Sequence, residues 1–318
     1  SVVTNIKMKN QDIFLGIDLG GTKIEIIALN LSGETLYQTR TPTPKHTNAK
    51  QQYQLILAAI SQLIETCESK LKRNNLPVGI GLPGAISLKT GLIKNANTTC
   101  LIGENFQSDL QDKLNRKVAL ENDANCFALS EALDGAGTGE NCVFGVILGT
   151  GVGSGIVINE RLLIGANAIT GEWGHNPLPW PGEKDEPKQE CYCGQSGCIE
   201  TYLSGPGFQK QSQMQLNTLL SCQQLFSQQK TQPIARLAYE LYVERLAKSL
   251  ASIINIIDPN IIVLGGGLSN IDSLYTDVPK RWHKHVFSDE INTKLIKNKY
   301  GDSSGVRGAA WLTRKEEN

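Results

Sequence analysis

The chain has 318 residues, 40% of them hydrophobic and 19% charged, a balance that suits a folded protein of two ordinary domains. Lys plus Arg and Asp plus Glu each number 31, so the formal net charge is zero. This argues against a general nucleic-acid or membrane-surface binder, since both need a basic face. No apolar run approaches the roughly 20 residues that span a bilayer. Residues 1–12 (SVVTNIKMKNQD) are polar and lack the apolar centre of a secretory signal, so cytoplasm is the expected compartment.

In chain order, residues 13–17 read as a strand, 18–22 as a glycine turn and 24–29 as a second strand. Ser32-Gly33-Glu34 marks a hairpin leading into a third strand at 36–40, a meander and not a βαβ unit. Leu55, Ile56, Ala59, Ile60, Leu63 and Ile64 carry the period of an amphipathic helix over 51–70. A strand follows at 78–82 and stops at Pro83-Gly84. A second pass repeats the scheme, with a strand at 117–120, a helix at 125–133 and a buried strand at 142–148. A glycine-rich turn at 149–155 then leads into a strand at 155–158. Two such passes predict two lobes of similar construction facing one cleft. The Gln-rich stretch 209–232 reads as exposed helix and loop. A long helix over 235–257 ends at Asp258-Pro259. A strand at 261–264 runs into Gly265-Gly266-Gly267, and a last helix covers 307–313.

Asp18-Leu19-Gly20-Gly21-Thr22-Lys23 places paired glycines directly after a buried strand. Glycine lets a bulky anion approach backbone N–H groups, Thr22 adds a hydroxyl, and Asp18 could hold Mg²⁺ through water. A tight hairpin with an acidic cap explains this turn alone equally well. Gly149-Thr150-Gly151-Val152-Gly153-Ser154-Gly155 repeats the arrangement, and a structural hairpin needs one glycine, not four. No G-x-x-x-x-G-K-[ST] occurs, and the first turn does not open a helix, which excludes a P-loop and argues against a dinucleotide fold.

Glu121-Asn122-Asp123-Ala124-Asn125 lies between a strand and a helix, where a carboxylate is either a helix cap or a positioned general base. Cys191-Tyr192-Cys193-Gly194-Gln195-Ser196-Gly197-Cys198 brings three of the eight cysteines within eight positions. With His175 as the nearest fourth donor, they suit a closed, structural zinc site better than a disulfide. His283 and His285 read as surface residues.

These segments together resemble the phosphate loops of the actin, hexokinase and Hsp70 superfold, a two-lobed, ribonuclease H-like α/β fold with a central cleft. Within it they resemble the ROK (repressor, open reading frame, kinase) family of sugar kinases. The hallmark is E-x-G-H followed by C-x-C-G-x-x-G-C-x-E. The resemblance implies that Gly16, Asp18, Gly20, Gly21, Thr22 and Lys23 wrap the ATP phosphates together with Gly149, Thr150, Gly151, Val152, Gly153 and Gly155. Gly265, Gly266 and Gly267 form the adenosine-side turn. Asp123 is the base and Asn122 a sugar ligand. Glu172, His175 and Glu200 hold sugar hydroxyls, with Gly84 and Asn97 in further sugar loops. His175, Cys191, Cys193 and Cys198 bind zinc, with ATP and Mg²⁺ as the other cofactors.

The implied lobes are 13–124 with 301–318, and 125–300. Lys94-Asn95-Ala96-Asn97-Thr98-Thr99, residues 172–180 and residues 301–311 are most similar to fructokinases of the manno(fructo)kinase type. Fructose is therefore the expected sugar, with mannose, glucose and N-acetylglucosamine as alternatives. The stretch between His175 and Cys191 departs from the pattern in its length, either reshaping the pocket or forming a surface loop. A homodimer is implied by analogy alone. A repressor would need a helix-turn-helix ahead of the first strand, where only about twelve polar residues stand. A non-catalytic sugar sensor would not need Asp18, Asp123 and both glycine turns.

Overall fold

The computed structural model describes residues 10–96 and 98–314. They form two compact units, one reaching to Ser130 and including the segment from Ser303, the other Glu131–Asp302.

The first unit is built on a five-stranded sheet. Strands β1 (Ile13–Leu19), β2 (Lys23–Asn30) and β3 (Thr35–Pro42) form an antiparallel meander. Helix α1 (Ala49–Leu71) follows, its first turn capped by the Asn48 side chain, which accepts from the Gln51 N–H. Its apolar face buries Ile56, Ile60 and Ile64 against Leu15, Ile17 and Ile26 of the sheet. Strand β4 (Val78–Leu82) pairs parallel with β1. A small hairpin of β5 (Ala85–Ile86) and β6 (Ile93–Lys94) precedes α2 (Phe106–Leu114). Strand β7 (Val118–Asn122) then pairs parallel with β4 and passes directly into α3 (Asp123–Leu133).

The terminal helix, Ser304–Trp311, lies against β1 and β4. Gly16 permits this contact: a Cβ there would run into the Val306 carbonyl and the Ala310 N. Gly16 therefore sits inside β1 as a packing residue, paired on one side with Ile27 and on the other with Gly79, and not in the turn.

The second unit repeats the topology. Strands β8 (Cys142–Leu148), β9 (Val152–Ile158) and β10 (Arg161–Leu162) are antiparallel, while β11 (Ile261–Gly265) and β12 (Lys294–Lys297) continue in parallel from β8. The sheet orders β3-β2-β1-β4-β7 and β10-β9-β8-β11-β12 correspond strand for strand. Helices α4 (Ile199–Leu203), α5 (Gly205–Leu216), α6 (Cys222–Ser227), α7 (Pro233–Ile257) and α8 (Leu274–Trp282) complete the unit. Tyr202, Phe208, Tyr242 and Leu246 meet Phe144 and Val146 of the sheet in its core.

Several boundaries differ from the sequence reading. Strand β9 begins at Val152, so the second glycine turn is only Gly149-Thr150-Gly151. Gly153 and Gly155 pair in the ladder with Ile147 and Gly145. Helix α3 begins two residues early, at Asp123, and the terminal helix spans Ser304–Trp311. The Gln-rich stretch is largely helical in α5 and α6, and Gln211 and Leu225 are fully buried. Among the described residues no helix is long and apolar enough to cross a membrane.

Candidate active site

Because β1, β4 and β7 are parallel, their carboxyl ends share one edge of the first sheet, the side on which ligands of such sheets bind. Asp18 is the next-to-last residue of β1, Pro83-Gly84 follows β4, Asn122 ends β7 and Asp123 opens α3, so four of the expected site residues converge there through the strand register. Gly84 lies close to the Lys94 carbonyl and to Ala96, which seats the second sugar loop beside the first. Asn97 falls outside the described residues.

Asp18 is partly buried, and its acid constant is pushed up to about 7. Burial is the main cause, the carboxylates of Asp123 and Glu25 add to it, and Lys23 opposes them. Lys23 Nζ is held 3.2 Å from Glu25 Oε2. The glycine turn is braced from one side: Thr43 Oγ1 donates to the Gly20 carbonyl at 2.7 Å and Lys45 Nζ to the Gly21 carbonyl at 2.6 Å. The N–H groups of Gly21 and Thr22 have no acceptor among the described residues. Two outward backbone donors beside a threonine hydroxyl suit an anion.

Capping of α3 falls to Asn122, whose Oδ1 accepts from the Asn125 N–H at 2.7 Å. The cap is therefore Asn122 and not Asp123. Asp123 stands exposed at the first helical position, where its Oδ1 accepts from the Ala124 N–H at 2.9 Å. Asn125 Nδ2 in turn donates to Glu121 Oε1 at 2.6 Å, fixing the segment from behind. Asn122 is left with its amide Nδ2 to offer a ligand.

In the second unit, Gly149 and Thr150 line a cavity of about 740 Å³ with Gly267 and the start of α5. Gly265 ends β11, Gly266 turns with φ 78°, and Gly267 opens a short 3-10 helix, Gly267–Asn270. Val152, Gly153 and Gly155 do not join the cavity lining, because they belong to β9. The Val152 N–H is already committed, donating to Glu200 Oε2 at 2.8 Å, and Gly151 sits beside the same oxygen. Glu200 therefore bridges α4 and the second turn.

Glu172 is exposed just ahead of the short helix Trp173–His175. Gly174 lets that helix press onto β9, where a Cβ would meet the Val152 carbonyl. His175, Cys191, Cys193 and Cys198 place one donor atom each within 4.8 Å of all the others. His175 Nδ1 is 3.5 Å from Cys191 Sγ, and the Cys193 and Cys198 sulfurs are 3.6 Å apart. All eight cysteines are free thiols. The Cys193 thiol is lowered to about 7, chiefly by the Gln195 backbone N–H, whereas burial pushes Cys198 up to about 12. Three thiols and an imidazole in this arrangement are compatible with a tetrahedral cation, whose charge would deprotonate the buried sulfurs. The remaining imidazole nitrogen, Nε2, is taken by the Tyr192 hydroxyl at 3.0 Å, so sugar contact by His175 would require Tyr192 to yield it.

The long stretch ahead of Cys191 is clipped to the core. Asp185, inside the charged run, is buried, and it accepts from Arg245 Nε at 2.9 Å and Lys248 Nζ at 2.7 Å, both buried on α7. Arg245 and Lys248 also donate to the Lys184 and Trp180 carbonyls. This network was not anticipated, and neither was the contribution of α5 and α6 to the cavity, through Gln209, Lys210, Gln213 and Cys222. Only apolar periodicity over 233–257 interrupted by Arg245 and Lys248 hinted at the clip. His283 is exposed as expected, while His285 stacks on Trp180 and pairs with Glu244 at 2.9 Å.

The ROK family pattern matches residues 14–316. The chain is 39% identical over 310 residues to the N-acetyl-D-glucosamine kinase of Photobacterium profundum, covering 96% of this chain and all of that one. It is 37% identical over 309 residues to the N-acetyl-D-glucosamine kinase of Yersinia enterocolitica, covering 94% and 99%. Neither relative is a fructokinase, so the expected subfamily does not find support in them. Its fold is that of the ROK hexokinase from Thermus thermophilus, with a TM-score of 0.82 at 28% identity over 95% of this chain and 97% of the other. On the strength of the matched pattern and these full-length likenesses, the chain belongs to the ROK family.

Proposed function

We propose that this protein is an ATP-dependent sugar kinase whose preferred substrate is N-acetyl-D-glucosamine. That sugar replaces fructose, because the similar enzymes that span the whole chain act, by name, on N-acetyl-D-glucosamine. The observation that carries the reading is the exposed carboxylate of Asp123, at the same sheet edge as Asp18 and the braced glycine turn.

In this mechanism Asp123 accepts the proton of the attacking sugar hydroxyl as its oxygen bonds to phosphorus. Asn122 Nδ2 donates to the sugar. The Gly21 and Thr22 N–H groups and the Thr22 hydroxyl hold phosphate oxygens, while Gly149, Thr150 and Gly267 take the adenosine side in the cavity they line. Asp18 would hold Mg²⁺ through water, and the ion would supply charge neutralisation to the nucleotide phosphates. His175, Cys191, Cys193 and Cys198 would hold a structural zinc ion, which orders the loop carrying Glu172 and the start of α4 with Glu200.

The test is a panel of N-acetyl-D-glucosamine, fructose, mannose and glucose assayed for ATP-dependent phosphorylation. The highest kcat/KM is expected for N-acetyl-D-glucosamine. A higher value for any other member overturns the sugar, and turnover of none overturns the kinase.

A further inference from the structure

Tyr192 stands between two of the clustered cysteines and is 79% exposed, unusual for a residue with a directed polar contact. Its hydroxyl lies 3.0 Å from His175 Nε2, and the two rings meet edge to face, with centroids 5.0 Å apart and planes at 83°. The opposite nitrogen, Nδ1, faces the thiols, 3.5 Å from Cys191 Sγ. An imidazole that gives its Nδ1 lone pair to a cation must carry its proton on Nε2. An oxygen placed to accept that proton selects the tautomer and fixes the ring plane, as outer partners of metal-bound histidines do.

We propose that Tyr192 is the positioning residue of the Cys3His knuckle: its phenol oxygen accepts the Nε2–H of His175 and so holds Nδ1 toward the three thiols. The inference rests on the reading of that cluster as a metal site. It makes the exposed tyrosine part of cation affinity and gives it no part in the chemistry of transfer. Because its hydroxyl and ring edge are near the surface, removing them opens no cavity in the core.

The test compares the full-length wild type with Tyr192→Phe, which keeps the ring and loses the oxygen, and Tyr192→Leu, which loses both. Metal-free protein is titrated with cobalt(II) alone and followed by its visible ligand-field bands. Zinc(II) affinity is then read by competition with a chromogenic chelator, without sugar or nucleotide. Affinity about tenfold weaker is expected for Tyr192→Phe, and weaker still for Tyr192→Leu, with an unchanged metal-free Tm. Wild-type affinity in Tyr192→Phe overturns the proposal, as does a drop in metal-free Tm that accounts for the loss. A wild type that takes up neither cobalt nor zinc overturns the metal reading, and this proposal with it. Failure of the hexose panel would leave these titrations untouched.

Discussion

Replacement of Asp18 by Asn tests whether a carboxylate is held at the first glycine turn at a cost to the fold. The acid constant of Asp18 rises from an ordinary 3.8 to about 7, through burial first and then the Asp123 and Glu25 carboxylates. A group harder to ionise when folded binds more protons in the native state than in the unfolded one between those two values. Its contribution to stability is therefore complete below pH 3.8 and is withdrawn as pH rises through about 7. At 1.36 kcal/mol per pH unit the span is worth about 4 kcal/mol, and water reaching the partly buried carboxyl brings it to about 2 kcal/mol. Asn cannot ionise. Urea unfolding of ligand-free protein from pH 5 to pH 8.5 should show Asp18→Asn gaining on the wild type as pH rises, and leading by about 2 kcal/mol at the alkaline end. Added Mg²⁺ and nucleotide should reverse the order, since only the wild type offers the ion a carboxylate. A stability difference that is flat with pH, or that favours the wild type at pH 8.5 without ligand, refutes the reasoning.

Asp123→Asn should lower kcat by about 10²- to 10⁴-fold in a coupled ADP-release assay while leaving Tm close to wild type, and a near-normal kcat removes Asp123 from its role as base. Asp185→Asn leaves Arg245 and Lys248 buried without their carboxylate, so urea unfolding should show a loss of about 3–5 kcal/mol. Burial alone would raise the acid constant of Asp185, but bonds from Lys248, the Gly182 N–H and Arg245 outweigh it and hold it below the ordinary 3.8. That stabilisation is present above the unfolded value and is lost as pH falls through the folded one. The gap between wild type and variant should therefore close at acid pH.

What the sequence made legible was local. Strands β4 and β8 are bounded by turns at both ends, and their limits match the reading. The four clustered donors could be named because C-x-C-G-x-x-G-C constrains its own backbone. Missed features depend on distant partners. The stretch holding Asp185 was left open between a reshaped pocket and a surface loop, since the cations of Asp185 lie 60 and 63 residues further on. The sequence Gly151–Gly155 looked like loop because glycine is a poor strand former, yet Gly155 lies where the Gly171 segment crosses β9. For Asp123 the sequence left a helix cap and a base both open, and the Asn122–Asn125 bond shows that Asn122 takes the cap. The expected sugar finds no support in the relatives named above, because the motifs read for it identify the family more sharply than the hexose.

The two units share a topology, and we propose on electrostatic grounds that their glycine turns have different roles. In the first, the turn carbonyls are held by Thr43 and Lys45, which leaves outward N–H groups and a cation beside them. In the second, the equivalent turn is met by Glu200, whose Oε2 accepts from the Val152 N–H, so a phosphate there would approach that oxygen at short range. On this proposal the first turn suits an anion, and the second, opening on a roomy cavity that includes Gln209 and Gln213, a neutral group. Glu200→Gln separates these roles. If Glu200 only braces the turn, the amide keeps an acceptor for the Val152 N–H and nucleotide affinity is retained. If its charge keeps phosphate away, the variant should bind inorganic phosphate or tripolyphosphate more tightly than the wild type, and equal affinities would end this account of the division.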